Sequence, residues 1–234
     1  MKISIVAGGT RGDVQPYVAL GGGLQRVGYD VRVLTTDDFE GLTTGAGLQF
    51  CSTGKSIEGM LQSDEWRKTT ERGNFFVIMG KMQKEMKKHA ESLAKMLPPL
   101  LEGTDLIITG AGGMGGTFSI AEKLNIPVIQ AYVFPFSPTS EFSSPLTPTL
   151  PLGQLLNRFS FHATRQMIWQ TTRMADVATR KILNMPKGSF FGHFRRMNRE
   201  KVPALYGYSN HVLPRPTDWD EHIHVTGYWY LDTY

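Results

Sequence analysis

Apolar and polar positions along the chain follow two periods, and the change from one to the other marks the elements. Lys2–Ala7 is a short, near-continuous apolar run and predicts a strand. Pro16–Val27 is amphipathic, is closed by Gly28 and predicts a helix. The alternation continues with a strand at Asp30–Thr35, a short helical patch at Asp38–Thr44 and a strand at Leu48–Ser52 that ends at Gly54. Phe75, Ile78, Met79, Met82, Met86, Ala90, Leu93 and Leu97 recur near a helical period, so Phe75–Leu97 is expected to be one long helix, broken by Pro98-Pro99. Asp105–Thr109 then predicts a strand, Thr117–Leu124 a helix and Pro127–Val133 another strand.

Apolar strands alternating with helices imply an α/β fold: a Rossmann-like parallel sheet with helices on both faces and right-handed crossovers. The pattern changes at Phe134. Phe134–Pro151 holds Pro135, Pro138, Pro145, Pro148 and Pro151 among Ser, Thr and Phe, and a loop of that length is often functional. Gln154–Leu183 reads as one long helix. Its Arg158, Arg165, Arg173 and Arg180 recur at seven or eight residues and share one face. The tail from Val202 is rich in aromatics and prolines and includes a strand at Ile223–Thr226.

Composition narrows the class. At 234 residues the chain is long enough for one large domain with a real core. The net charge of +4 is mild, and no nucleic-acid-binding pattern accompanies it. Cys51 is the only cysteine, which excludes a disulfide framework and favours a reducing compartment. The N-terminal apolar run is too short for a signal-peptide core, and no run approaches a membrane span. A cytoplasmic protein is expected, with any membrane contact peripheral.

The chemistry concentrates in Gly8-Gly9-Thr10-Arg11-Gly12-Asp13-Val14-Gln15-Pro16, between the first strand and the first helix. Ligands of open α/β sheets bind at that edge. Asp13 there is suited to capping the helix and also to acting as a base. Gly9, Thr10, Arg11 and Gly12 are suited to donor phosphates at a helix N-terminus, or simply to a tight turn. The run Gly112–Gly116 lets backbone approach a ligand at the next strand end, or turns the chain. It lacks the Gly-Lys-Ser/Thr ending of a P-loop.

Three segments together resemble the two-domain GT-B glycosyltransferases, nearest to the sterol and lipid glucosyltransferases and the antibiotic-aglycone glycosyltransferases. They are Gly9–Pro16; Ile120-Ala121-Glu122-Lys123-Leu124-Asn125-Ile126-Pro127 with the loop after it; and Pro214-Arg215-Pro216-Thr217-Asp218-Trp219 with Val225-Thr226-Gly227-Tyr228-Trp229. The resemblance implies the N-terminal half of that fold: an acceptor-binding domain over 1–213, the start of an interdomain linker over 214–234, and an absent C-terminal donor domain.

The activity it implies is inverting transfer of a hexose, with glucose favoured, from a UDP-sugar to a hydroxyl of a sterol, lipid or other hydrophobic aglycone. Asp13 matches the family's base, and one carboxylate opposite the leaving group suffices for that role, as in inverting glycosidases. UDP-sugar is a co-substrate, and no other cofactor and no metal are expected. Gly9, Thr10, Arg11 and Gly12 would face the donor. Gly112, Gly113, Phe134, Phe136, Phe142, Phe159, His162 and Met167 are the candidate acceptor-binding residues, since apolar pockets with few polar groups suit lipid-like alcohols. The arginine stripe would lie on an anionic membrane, or on solvent.

Two other readings stand beside this one. A non-catalytic module would keep the apolar pocket without transferring sugar. A nicotinamide-dependent oxidoreductase is suggested by Gly8, Gly9 and Gly12, with Asp37 or Asp38 after the second strand, but the Gly-x-Gly-x-x-Gly fingerprint fails. Acceptor identity and oligomeric state are not encoded in any motif.

Overall fold

Near-continuous apolar strands require cover on both faces, and the chain provides it. The computed structural model describes residues 1–55, 75–147 and 153–231, with backbone alone at 75–83, 85 and 86. The side chains of Phe75, Ile78, Met79, Met82 and Met86, and Pro148 and Pro151, therefore lie outside the described residues. The elements are β1 (Lys2–Val6), α1 (Arg11–Arg26), β2 (Asp30–Thr35), α2 (Glu40–Gly45), β3 (Gln49–Ser52), α3 (Phe75–Leu101), β4 (Leu106–Thr109), α4 (Met114–Leu124), β5 (Val128–Tyr132), α5 (Gly153–Ile182), α6 (Phe194–Arg199), β6 (Ala204–Tyr206) and β7 (Ile223–Val225). The described strands form one seven-stranded sheet in the order β3-β2-β1-β4-β5-β6-β7, every pair parallel. This is the expected Rossmann-like architecture.

Alternate residues of each strand serve opposite faces. Ile3, Ile5, Val31 and Val33 pack with Val14 and Val18 of α1. Val6, Leu34 and Ile107 pack on the other side with Leu97 and Leu101 of α3 and Ile120 of α4. A third cluster joins Tyr132, Phe136, Trp169, Phe194, Tyr206 and Trp219 beyond β5. Helix α5 lies across α3 and α4 as an outer layer.

Several boundaries differ from expectation for identifiable reasons. Helix α1 starts at Arg11, not Pro16, because Thr10 and Asp13 form a capping box that opens the helix earlier. Pro16 consequently sits inside the helix and cannot return a hydrogen bond to the Gly12 carbonyl. Pro98 and Pro99 do not break α3, which continues to Leu101. Leu97 and Leu101 are buried against the sheet, and that burial outweighs the lost helix bonds. In α4 the backbone of Gly115 and Gly116 is non-helical, so the regular helix begins at Thr117, as expected.

Two elements carry no early signal. Strand β6 has only three residues, too few to show alternation, and α6 has only six. The stretch from Pro214, read as the start of a linker, packs onto the sheet. Trp219 is buried, Arg215 donates to the carbonyls of Trp219, Asp220 and Ile223, and β7 extends the sheet.

Candidate functional site

The neighbouring strands β1 and β4 lead the chain away in opposite directions, toward β2 and β3 on one side and β5 to β7 on the other. Such a switch point parts the loops at the carboxyl ends of the strands and opens a crevice. The two glycine loops meet there. A Cβ on Gly112 would collide with the Gly8 carbonyl oxygen, and one on Gly113 with the Val6 carbonyl oxygen. These glycines are therefore required first for the packing of the two loops against each other. Gly9 has φ +123° and stands so close to Asp13 that a Cβ would lie 2.5 Å from Oδ2.

Asp13 occupies the first turn of α1. Its Oδ2 accepts hydrogen bonds from Thr10 N at 2.8 Å and Thr10 Oγ1 at 2.9 Å. Neither bond uses Oδ1. The side chain borders a cavity of about 20 Å³ shared with Gly8, Tyr17, Gly112, Tyr132 and Phe134. That space suits one water-sized group, such as a hydroxyl.

Tyr17 follows Asp13 by one helical turn and forms the buried floor. Its hydroxyl donates to the Ala131 carbonyl at 2.6 Å. Burial, and then the Asp13 carboxylate, push this phenol above its usual range, so it remains a neutral donor. Tyr132 is buried too and donates to Gln130 Oε1 at 3.0 Å, and burial raises its phenol as well. Asp13 is thus the one carboxylate among the described residues bordering this cavity. Tyr17 and Tyr132 were not among the expected site residues; the spacing of four between Asp13 and Tyr17 was the available signal.

The expected acceptor residues are spread over several places. Phe134 and Gly112 border the Asp13 cavity, as does Gly113. Phe136 is fully buried between Tyr132 and Phe194. Phe142 is half-buried against Phe161. Phe159 and Met167 point outward, 65% and 54% exposed. His162 borders a separate polar cavity of about 180 Å³ with Arg158, Asp218 and His222. Partial burial, then the charges of Arg165 and Arg158, lower its pKa, so the ring is neutral near pH 7. Gly9, Thr10, Arg11 and Gly12, the residues expected to face a donor, are exposed where the first strand gives way to α1.

The arginine stripe divides: Arg158 is exposed and Arg173 half-buried, whereas Arg165 and Arg180 are 3% and 8% exposed because they turn toward the fold. Arg165 donates to the Phe136 carbonyl at 2.8 Å and to Ser137 Oγ at 3.3 Å, and lies 5.1 Å from the centre of the Phe194 ring. It clamps the loop that carries Phe134. Arg180 joins Glu122 at 2.9 Å and lies 3.4 Å from Asp176.

Asp176 is itself buried and accepts from Ser119 Oγ at 2.5 Å, with His193 Nε2 at 3.2 Å. Burial would raise this carboxyl, but the bonds from His193 and Ser119 and the nearby charges outweigh it and hold the group below its usual range. Ser119 contacts the acid and not the imidazole, so the trio lacks the nucleophile–base contact of a hydrolytic triad. It ties α4, α5 and the segment before α6 together.

The profile of the glycosyltransferase family 28 N-terminal domain matches residues 3–143. The sterol 3-beta-glucosyltransferase of Cryptococcus neoformans var. neoformans serotype D is 32% identical over 237 residues, covering 99% of this chain and 14% of that protein. That of Glomerella lagenarium is 30% identical over 235 residues, covering 99% of this chain and 15% of the relative. The chain thus spans 14% to 15% of the length of these relatives. Among solved structures, spinosyn forosaminyltransferase SpnP aligns with a TM-score of 0.53 at 14% identity, over 96% of this chain and 50% of that one. That likeness is one of fold. Among the described residues no helix is long and apolar enough to cross a membrane.

Proposed function

Because this chain belongs to glycosyltransferase family 28, through its N-terminal domain, we propose that it is the acceptor-binding half of an inverting glycosyltransferase. The reaction moves a hexose from a UDP-sugar to the hydroxyl of a sterol, lipid or similar hydrophobic alcohol. The observation that carries this reading is Asp13, set at the crevice between β1 and β4 with Oδ2 held by Thr10 and the carboxylate bordering the small cavity. The names of the relatives support glucose as the sugar and a sterol as the first acceptor to test.

In this reading the acceptor hydroxyl enters beside Asp13. Its oxygen forms a bond to the anomeric carbon from the face opposite the nucleotide. The bond to the diphosphate oxygen breaks, and that oxygen leaves with the electron pair. Asp13 takes the hydroxyl proton as the hydroxyl acidifies during bond formation. Thr10 holds the carboxylate in place through the two bonds to Oδ2. The start of α1, with the exposed Thr10, Arg11 and Gly12, presents a positive helix end to the departing diphosphate. A C-terminal donor domain supplies the remaining nucleotide contacts. A lipid-phase acceptor would be met at a membrane surface on the cytoplasmic side. Of the four stripe arginines, Arg165 and Arg180 are buried and take no part in such contact, whereas Arg158 is exposed.

The test joins this chain to a family donor domain and measures transfer from UDP-glucose to a panel of sterols, lipids and aglycones. Glucosylation of an apolar alcohol with inverted anomeric configuration is expected. Retained configuration, or tight binding of the alcohol with no transfer to it, would overturn the proposal.

A further inference from the structure

A groove between α3 and α5, of about 710 Å³, lies away from the Asp13 crevice. That volume falls in the range of small-molecule sites. Ala90 and Ala178 are small and leave the floor open, while Met174, Val177 and Ile182 provide apolar walls. Val177 and Ile182 are 56% and 40% exposed, a stripe that α5 leaves uncovered.

The banks carry the informative charge. Lys87 and Lys95 stand on α3, and Arg173 and Lys181 on α5. Each pair is eight residues, or about 12 Å, apart along its helix. Among the described residues Glu91 is the only acid lining the groove. A neutral apolar ligand has no use for four cations around its path. A chain with a single anionic end does, because the cations attract and orient the head while the floor takes the hydrocarbon.

We propose that this groove binds one long-chain fatty acid as its carboxylate, at a site separate from the acceptor crevice. The acyl chain lies over Ala90 and Ala178 against Val177 and Ile182. The carboxylate meets lysine or arginine at a groove end. The proposal is independent of the transfer reaction, since none of these residues borders the Asp13 cavity.

The test is a fluorescence titration of the full 234-residue chain with cis-parinaric acid and, separately, its methyl ester. Saturable binding of the acid is expected, at least tenfold tighter than that of the ester and weakened by salt. The double variant Lys95→Glu/Lys181→Glu changes two exposed side chains and should weaken the acid at least tenfold. Ala178→Trp fills the floor and should abolish binding of both probes. Equal affinity for acid and ester, no binding of the acid, or unchanged affinity in the double variant would overturn the proposal.

Discussion

Replacing Asp13 by Asn separates the two tasks its carboxylate is suited to. As a cap, the side chain accepts from Thr10 N at 2.8 Å and Thr10 Oγ1 at 2.9 Å. Asn keeps an acceptor oxygen there and loses only the charge. Loss of a charge at a helix N-terminus costs about 0.3–1 kcal/mol. Weakening two charge-assisted bonds brings the cost to roughly 1–1.5 kcal/mol. In a chain of 234 residues that lowers Tm by about 3–5 °C. From an ordinary stability of at least ~5 kcal/mol, about 99% of the molecules remain folded at 25 °C.

As a base, loss of the carboxylate removes a factor of about 10²–10⁴ in rate, or roughly 3–5 kcal/mol of barrier. Unfolding cannot imitate so large a loss. The assay pairs kcat for glucose transfer to a sterol, on the chain joined to a donor domain, with a calorimetric melt. Asp13→Glu completes the argument. Glu suits a capping box, so Tm should stay near wild type. The added methylene displaces the carboxylate by about 1 Å or more, which is enough to cost ~10²-fold in kcat. If Asp13→Asn slows transfer less than tenfold while Tm falls as expected, Asp13 is a cap and the base lies elsewhere.

Further outcomes follow from the packing. Gly112→Ala drives a methyl into the Gly8 carbonyl, so it should cost about 1–3 kcal/mol in denaturant unfolding; unchanged stability would mean the two loops are not in contact. Arg165→Lys keeps the charge but loses the fork that reaches both Phe136 O and Ser137 Oγ, so a loss of about 1–3 kcal/mol is expected. Asp176→Asn should cost about 3 kcal/mol at neutral pH, since it leaves Arg180 and His193 short of their buried partner. Because the folded Asp176 carboxyl titrates below its unfolded value, near 3.9, its contribution is complete above that pH and is lost as pH falls through the folded value. The stability gap between wild type and Asp176→Asn should therefore close in acid; a constant gap down to pH 2 would contradict the depressed pKa.

The amino-acid sequence by itself determined the α/β class, the parallel sheet and the glycine loop that ends the first strand. Those follow from local facts: apolar runs such as Lys2–Val6, helical periods such as that of α5, and a glycine loop with an acid at the carboxyl end of the first strand. Each depends on neighbours in the chain, so each is written in the order of residues. The tertiary structure decided what depends on distant partners. Helix α3 runs through Pro98 and Pro99 because Leu97 and Leu101 find the sheet. Arg165 and Arg180 are buried because a carbonyl from another loop and a carboxylate from another helix await them. Tyr17 becomes the floor of the site because Ala131, 114 positions away, accepts its hydroxyl. A repeating pattern shows which face of a helix is distinct, but only the packed fold shows what that face meets, because burial and pairing energies belong to pairs of groups that the chain order does not place side by side.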